Sequence, residues 1–303
     1  MTKKMMLLIL MIVFGLAALQ ADPIDIDSDY GWKMLTIPLS PSISAMAGTG
    51  AAISGEAGSF IEHPAAGLLE NVRSVSITQN LWIFDTQMTS VAINTSSGAD
   101  SYGFALRALD YGKIDARDIT GEIIGEFHPL DLNLIANYAR RFGPNYYAGA
   151  NLMLLYQKLQ SHSSTGVALD LGLSYLPPIR GLTLNAAIRH IGMTSKVNRE
   201  RINLPTAPEI GISYLLPLDF ADINTECKML KHPDDSNVRV QLGTNININE
   251  ILNLRGGYYL NHDTQSLTAG IGVQLNKIDF NYAYLPFSDD ISDAHSFGLT
   301  YKF

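Results

Sequence analysis

The chain has 303 residues, a formal net charge of −8, charged residues at only 17% and a single cysteine. An acidic balance argues against a nucleic-acid partner, and one cysteine excludes an internal disulfide. Past the first twenty or so residues no apolar run approaches the roughly 18 residues of a helical span, so any membrane crossing must be made by strands.

Lys3 and Lys4 open the chain, Met5 to Leu19 carry no charge, and Ala17, Ala18 and Ala21 are small. That is the three-part layout of a secretory signal peptide over residues 1–21. The apolar run, about 15 residues, falls short of the roughly 20 a spanning helix needs, which favours a cleaved signal over an anchor. Cleavage removes two lysines and takes the formal charge from −8 to −10.

Residues 22–71 read as an arm and a lumenal plug rather than as strand. Asp25, Asp27 and Asp29 have calcium-loop spacing, but Tyr30 stands where the turn glycine belongs and Thr36 where the bidentate glutamate belongs. The stretch is therefore a solvated acidic arm. Trp32, Met34, Leu35, Ile37 and Leu39 follow as an apolar patch that needs cover. Ser40 to Glu70 is crowded with Ala, Gly and Ser, which permits close backbone approach in a confined space. It also carries Met46, Ile53, Phe60, Ile61, Leu68 and Leu69, which a surface linker would not.

Two elements of this stretch, Gly48-Thr-Gly-Ala-Ala52 and Phe60-Ile-Glu-His-Pro-Ala-Ala-Gly-Leu68, resemble the start of the PorV/PorQ family, which belongs with the FadL-type transporters. The resemblance implies an N-terminal hatch built on Gly48, Gly50, His63, Pro64, Ala65 and Gly67. The family's Asn-Pro-Ala element reads His63-Pro64-Ala65 here, and an arginine common before the glycine-rich segment is absent.

From Val72 onward the pattern has period two, with turn residues between runs. Fourteen strands are predicted, at 72–82, 86–97, 100–109, 131–142, 145–158, 165–175, 180–191, 208–216, 219–230, 237–248, 251–260, 265–275, 276–285 and 295–303. In 165–175, Val167, Leu169, Leu171, Leu173 and Tyr175 share one face, and Ala168, Asp170, Gly172 and Ser174 the other. The polar faces are rich in Gly, Asn, Ser and Gln, as a crowded or wet lumen requires, and apolar faces then meet lipid. The expected fold is an all-β transmembrane antiparallel barrel of 72–303, with the plug inside. Asp170, Arg189, Arg239, Arg255 and Asp279 fall on inward faces, together with Asp222 and Glu226, and are expected to form lumenal ion pairs. Tyr138, Tyr146, Tyr156, Tyr175, Tyr214, Tyr258, Tyr282, Tyr284 and Tyr301 suit interfacial aromatic girdles. Short turns at Gly143-Pro-Asn145 and Asn276 read as periplasmic, and the longer loops 110–130, 192–207 and 286–294 as extracellular. The 110–130 loop and Ser163 to Tyr175 extend the PorV/PorQ resemblance.

The chain ends on Phe297, Leu299, Tyr301 and Phe303, all on one strand face. This resembles the closing strand of bacterial outer-membrane barrels, whose terminal aromatic the barrel-assembly machinery reads. No catalytic constellation accompanies it. The seven His residues stand apart, without metal-ligand spacing. Asp289, Asp290 and Asp293 read as a solvated acidic loop. No catalytic residue, metal or cofactor is expected, and the partners are outer-membrane lipid and the assembly machinery. Two functions follow from the resemblance. In the first, the protein is a non-enzymatic export component related to type IX secretion that binds secreted proteins. In the alternative, it is a FadL-like channel that takes long-chain fatty acids or other hydrophobic small molecules and releases them sideways through a strand kink.

Overall fold

The computed structural model describes residues 30–50, 56–69, 73–197, 200–232, 237–262, 264–288 and 291–303. The expected signal peptide, the acidic arm 22–29 and the pair Asp289 and Asp290 lie outside them.

Fourteen antiparallel strands close into one barrel. They are β1 (Ser74–Leu81), β2 (Gln87–Ser97), β3 (Asp100–Asp110), β4 (Leu130–Phe142), β5 (Tyr146–Lys158), β6 (Ser163–Tyr175) and β7 (Leu182–Thr194), followed by β8 (Ala207–Pro217), β9 (Ala221–Leu230), β10 (Arg239–Ile248), β11 (Leu252–Leu260), β12 (Leu267–Leu275), β13 (Ile278–Leu285) and β14 (Ala294–Lys302). Each pairs with its sequence neighbours, and β14 returns to β1 through the register Ile77 to Leu299 and Val75 to Tyr301. Closure leaves no unpaired edge. The predicted strands match these in number and lie within three residues at every end. The expected 110–130 loop departs from prediction by holding its own hairpin, Ile114–Arg117 against Ile123–Phe127. Ile119, Ile123 and Ile124 stand exposed on it, so its sequence had no buried face to betray a period.

The period-two faces divide as predicted. Phe297, Leu299, Tyr301 and Phe303 are 41–55% exposed on the outside, whereas Ser296 and Thr300 are 2% and 1% exposed within. An apolar exterior over a polar interior inverts a soluble sandwich and fits a lipid environment. Among the described residues no helix is long and apolar enough to cross a membrane. Tyr102 and Tyr138 pair on the outer face at 5.4 Å, and Tyr146 and Tyr175 stack at 4.8 Å. Tyr214 does not join such a girdle. It is 2% exposed and packs with Leu182, Ile212 and Leu216.

Short connections after β2, β4, β6, β8, β10 and β12 gather at the end where the chain enters β1 and leaves β14. Gly98, Gly143 and Asn276 make those turns with left-handed φ. The longer connections leave β3, β7 and β13 at the other end.

Residues 30–50 and 56–69 run inside this wall. They form a 3-10 turn (Lys33–Thr36) and three short helices, α1 (Pro41–Ala45), α2 (Ser59–Glu62) and α3 (Ala66–Leu69). Pro41 at the first helical position and the Ser40 hydroxyl, which accepts from Ile43 N, start α1. Trp32, Leu35, Leu39, Phe60 and Ile61 pack on the inward side chains Ala92, Ala105, Ile135, Met153, Leu155 and Ala168. The apolar patch near residue 32 thus finds its cover in the lumen.

Candidate functional site

The inner segment meets the wall where the wall is smallest. A methyl group at Gly149 would stand 2.5 Å from the Pro64 carbonyl carbon, and one at Gly172 2.7 Å from Pro64 Cδ. Only glycine lets β5 and β6 approach this bend. The bend is made locally: Ala65 N donates to His63 Nδ1 at 3.3 Å, a bond two residues on of the type an Asn side-chain oxygen supplies. His63 therefore closes this turn as an Asn side chain would. Burial holds its pKa down at about 4, so the ring is neutral. Asn137 donates to Pro64 O and Asn151 to Phe60 O, both at 2.9 Å. Gly67 O accepts from Asn94 and Ser96. Gly48 and Gly50 take left-handed φ of 79° and 82°. Their turn lets Gly48 O accept from Lys228 Nζ at 2.6 Å and Gly50 N donate to Glu226 Oε2 at 3.0 Å.

The wall is interrupted between β6 and β7. The register runs Leu169 to Ile191 and then Leu171 to Ile188, leaving Arg189 and His190 opposite Asp170 alone. This is a β-bulge, with His190 in a left-handed φ of 57° that costs roughly 1–2 kcal/mol in a non-glycine residue. Asp170 holds it, accepting from His190 N at 2.6 Å and from Asn151 Nδ2 at 3.0 Å. Segment 204–206 covers it, as Thr206 Oγ1 donates to His190 O and Pro205 O lies 3.1 Å from His190 Nδ1. The extra residue sets His190 beside inward-facing Arg189, and both are buried.

Arg189 then bridges the inner segment and the wall. Its Nη1 lies 3.2 Å from Glu62 Oε2 and 3.4 Å from Glu209 Oε1, with all three side chains buried. Glu62 also accepts from Leu39 N at 3.0 Å, and Lys228 lies 3.9 Å from Glu209. A buried arginine between two carboxylates is tolerated because each charge is paired and hydrogen-bonded. Arg107, 1% exposed, clamps the segment elsewhere by donating to Met34 O at 2.9 Å and Ile37 O at 2.7 Å.

At the long-connection end Glu62, Arg189, Glu209 and Lys228 line a cavity of about 350 Å³. Leu35, Ile37, Trp82, Ile83, Leu230 and Phe287 supply apolar lining, while Glu62, Arg189, Glu209 and Lys228 supply charge. Arg239 lines the same cavity. The expected lumenal residues thus fall in three places. Asp170 and Arg189 meet at the bulge, Arg239 is at the mouth, and Arg255 and Asp279 border a second cavity near the short turns. The expected ion pairs exist for Arg189 and for Asp279, which pairs with Lys302 at 2.6 Å. Asp170 instead holds the bulge through hydrogen bonds, and Arg255 donates to Asn281 at 2.7 Å. Sequence reading did not single out Glu62, Arg107, Glu209 or Lys228. Glu209 and Lys228 alternate with apolar neighbours and were legible as inward-facing, but nothing local marked them as partners of Arg189.

No family model and no curated protein matches this sequence. Solved structures do match. The monoaromatic hydrocarbon channel CymD superposes with a TM-score of 0.65 at 13% identity, over 88% of this chain and 98% of that one. The toluene transporter TodX of Pseudomonas putida gives 0.64 at 10% identity, over 88% and 98%. A Pseudomonas aeruginosa FadL homologue gives 0.59 at 9% identity, over 88% and 99%. The fold is that of the FadL-type barrels. The FadL half of the resemblance is thereby placed at the level of fold, and the narrower PorV/PorQ half is not.

Proposed function

We propose that this protein is an outer-membrane channel for small hydrophobic molecules, with the long connections on the extracellular side. The observation that carries the reading is the 350 Å³ cavity at the long-connection end, lined jointly by wall and inner segment with apolar side chains beside charged and polar ones. An apolar solute gains roughly 25 cal/mol per Å² of surface that it removes from water there. The inner segment acts as the hatch. Because Arg189 and His190 line the cavity and also form the bulge, the cavity abuts the discontinuity in the wall. Release of segment 204–206 would open a sideways path into lipid. The likeness in fold to hydrocarbon channels supports this reading over that of an export component that binds secreted proteins. No observation on the loops or the lumen favours the export reading.

The chain contains two tryptophans, and they give a direct test. Trp32 is buried in the inner segment, whereas Trp82 lines the cavity. In a Trp32→Phe protein, toluene or a long-chain fatty acid should change Trp82 fluorescence saturably, and cells carrying the protein should take up the same compound faster. If the fluorescence stays flat and uptake does not rise, the channel reading fails. Copurification of secreted proteins sharing a C-terminal domain would instead restore the export reading.

A further inference from the structure

The second cavity, of about 230 Å³, lies on the inner side of β8–β14 toward the short turns and shares no lining residue with the mouth cavity. Its wall is unlike the rest of the lumen. Asn224 and Asn245 face each other across the β9–β10 register, and Asn247 and Asn253 across the β10–β11 register. Three of its oxygens, Asn224 Oδ1, Asn245 Oδ1 and Asp279 Oδ1, are buried without a hydrogen-bond partner in the protein, on residues 5%, 8% and 6% exposed. A buried acceptor left unpaired costs about 1–3 kcal/mol, so three on one cavity call for an external donor. The fixed charges balance, with Asp222 and Asp279 against Arg255 and Lys302. Lys302 already pairs with Asp279, and Arg255 already donates to Asn281. Among the described residues no aromatic ring lines the space.

We propose that this cavity binds a small, neutral, polyhydroxylated molecule, a polyol or monosaccharide. Hydroxyls donate to the three free oxygens and accept from the remaining carboxamide and guanidinium N–H groups. The balanced charge favours a ligand without net charge, and the lack of a ring face selects against a flat apolar one. The site goes beyond the channel reading and does not depend on it.

The test uses the full barrel in detergent and saturation-transfer NMR with myo-inositol and D-glucose, with glycine as a zwitterionic comparison. Saturable transfer to a polyol is expected. In the double variant N224L/N245L, binding should weaken about tenfold or more, since two hydrogen bonds of about 1 kcal/mol each are removed. Because those oxygens have no partner in the protein, the same variant should be as stable as the parent or more so. A purely structural role predicts the opposite. Leu215→Trp, at an exposed edge of the cavity, should block binding without touching a buried polar group. The proposal is overturned if neither polyol gives saturable transfer, if glycine is preferred, or if both variants bind like the parent.

Discussion

Replacing Gly149 by alanine tests how tightly the inner segment is seated. The added methyl would lie 2.5 Å from the Pro64 carbonyl carbon and 2.9 Å from Ala65 N, with Pro64 O closer still. Carbon contacts settle near 3.5 Å, so the bend must retreat by about 1 Å. All three atoms are backbone, and no side chain can rotate away. Overpacking of this kind costs about 1–3 kcal/mol. Retreat also stretches the 2.9 Å bond from Asn137 to Pro64 O, worth about 1 kcal/mol. A loss of about 2–4 kcal/mol is expected, confined to the seating of residues 60–68. Hydrogen exchange read segment by segment is the assay, with Gly125→Ala as control, since a methyl there meets nothing within 4 Å. Gly149→Ala should speed exchange in 60–68 and leave the strands protected, and if the segment gates the lumen, uptake should rise. Exchange identical to that of Gly125→Ala would refute the seating of Pro64 against β5.

Removing Arg189 as Arg189→Met leaves Glu62 and Glu209 buried without their counter-charge and should cost about 3–5 kcal/mol in urea unfolding. Adding Glu62→Gln should recover part of that loss, and additive losses would argue against the bridge. Arg107→Met should cost at least about 2 kcal/mol and expose residues 34–37 to protease, because two backbone carbonyls lose their donor. Burial lowers the pKa of His63 from its ordinary 6.5 to about 4. Its contribution to stability is therefore present above pH 6.5 and is lost as the pH falls toward 4, because the unfolded chain takes up the proton first. A His63→Asn protein should lack that slope.

Strand number and the facing of nearly every strand were legible in the sequence alone. These follow from a local property, the alternation of side chains along an extended backbone, repeated until the chain closes. Tyr214 shows the limit of that signal, since facing outward did not place it on an open surface. Gly149 and Gly172 were legible as glycines on an inward face, but not as the seat of Pro64. The bridge among Glu62, Arg189 and Glu209 joins positions far apart in the chain, and only closure of the barrel around the inner segment brings them within 3.2–3.4 Å. The same holds for the bulge. A single extra residue opposite Asp170 makes outward Ile188 be followed by outward Ile191, so His190 joins Arg189 on the inward side, and only the pairing with Asp170's strand shows that this break in the alternation is a bulge.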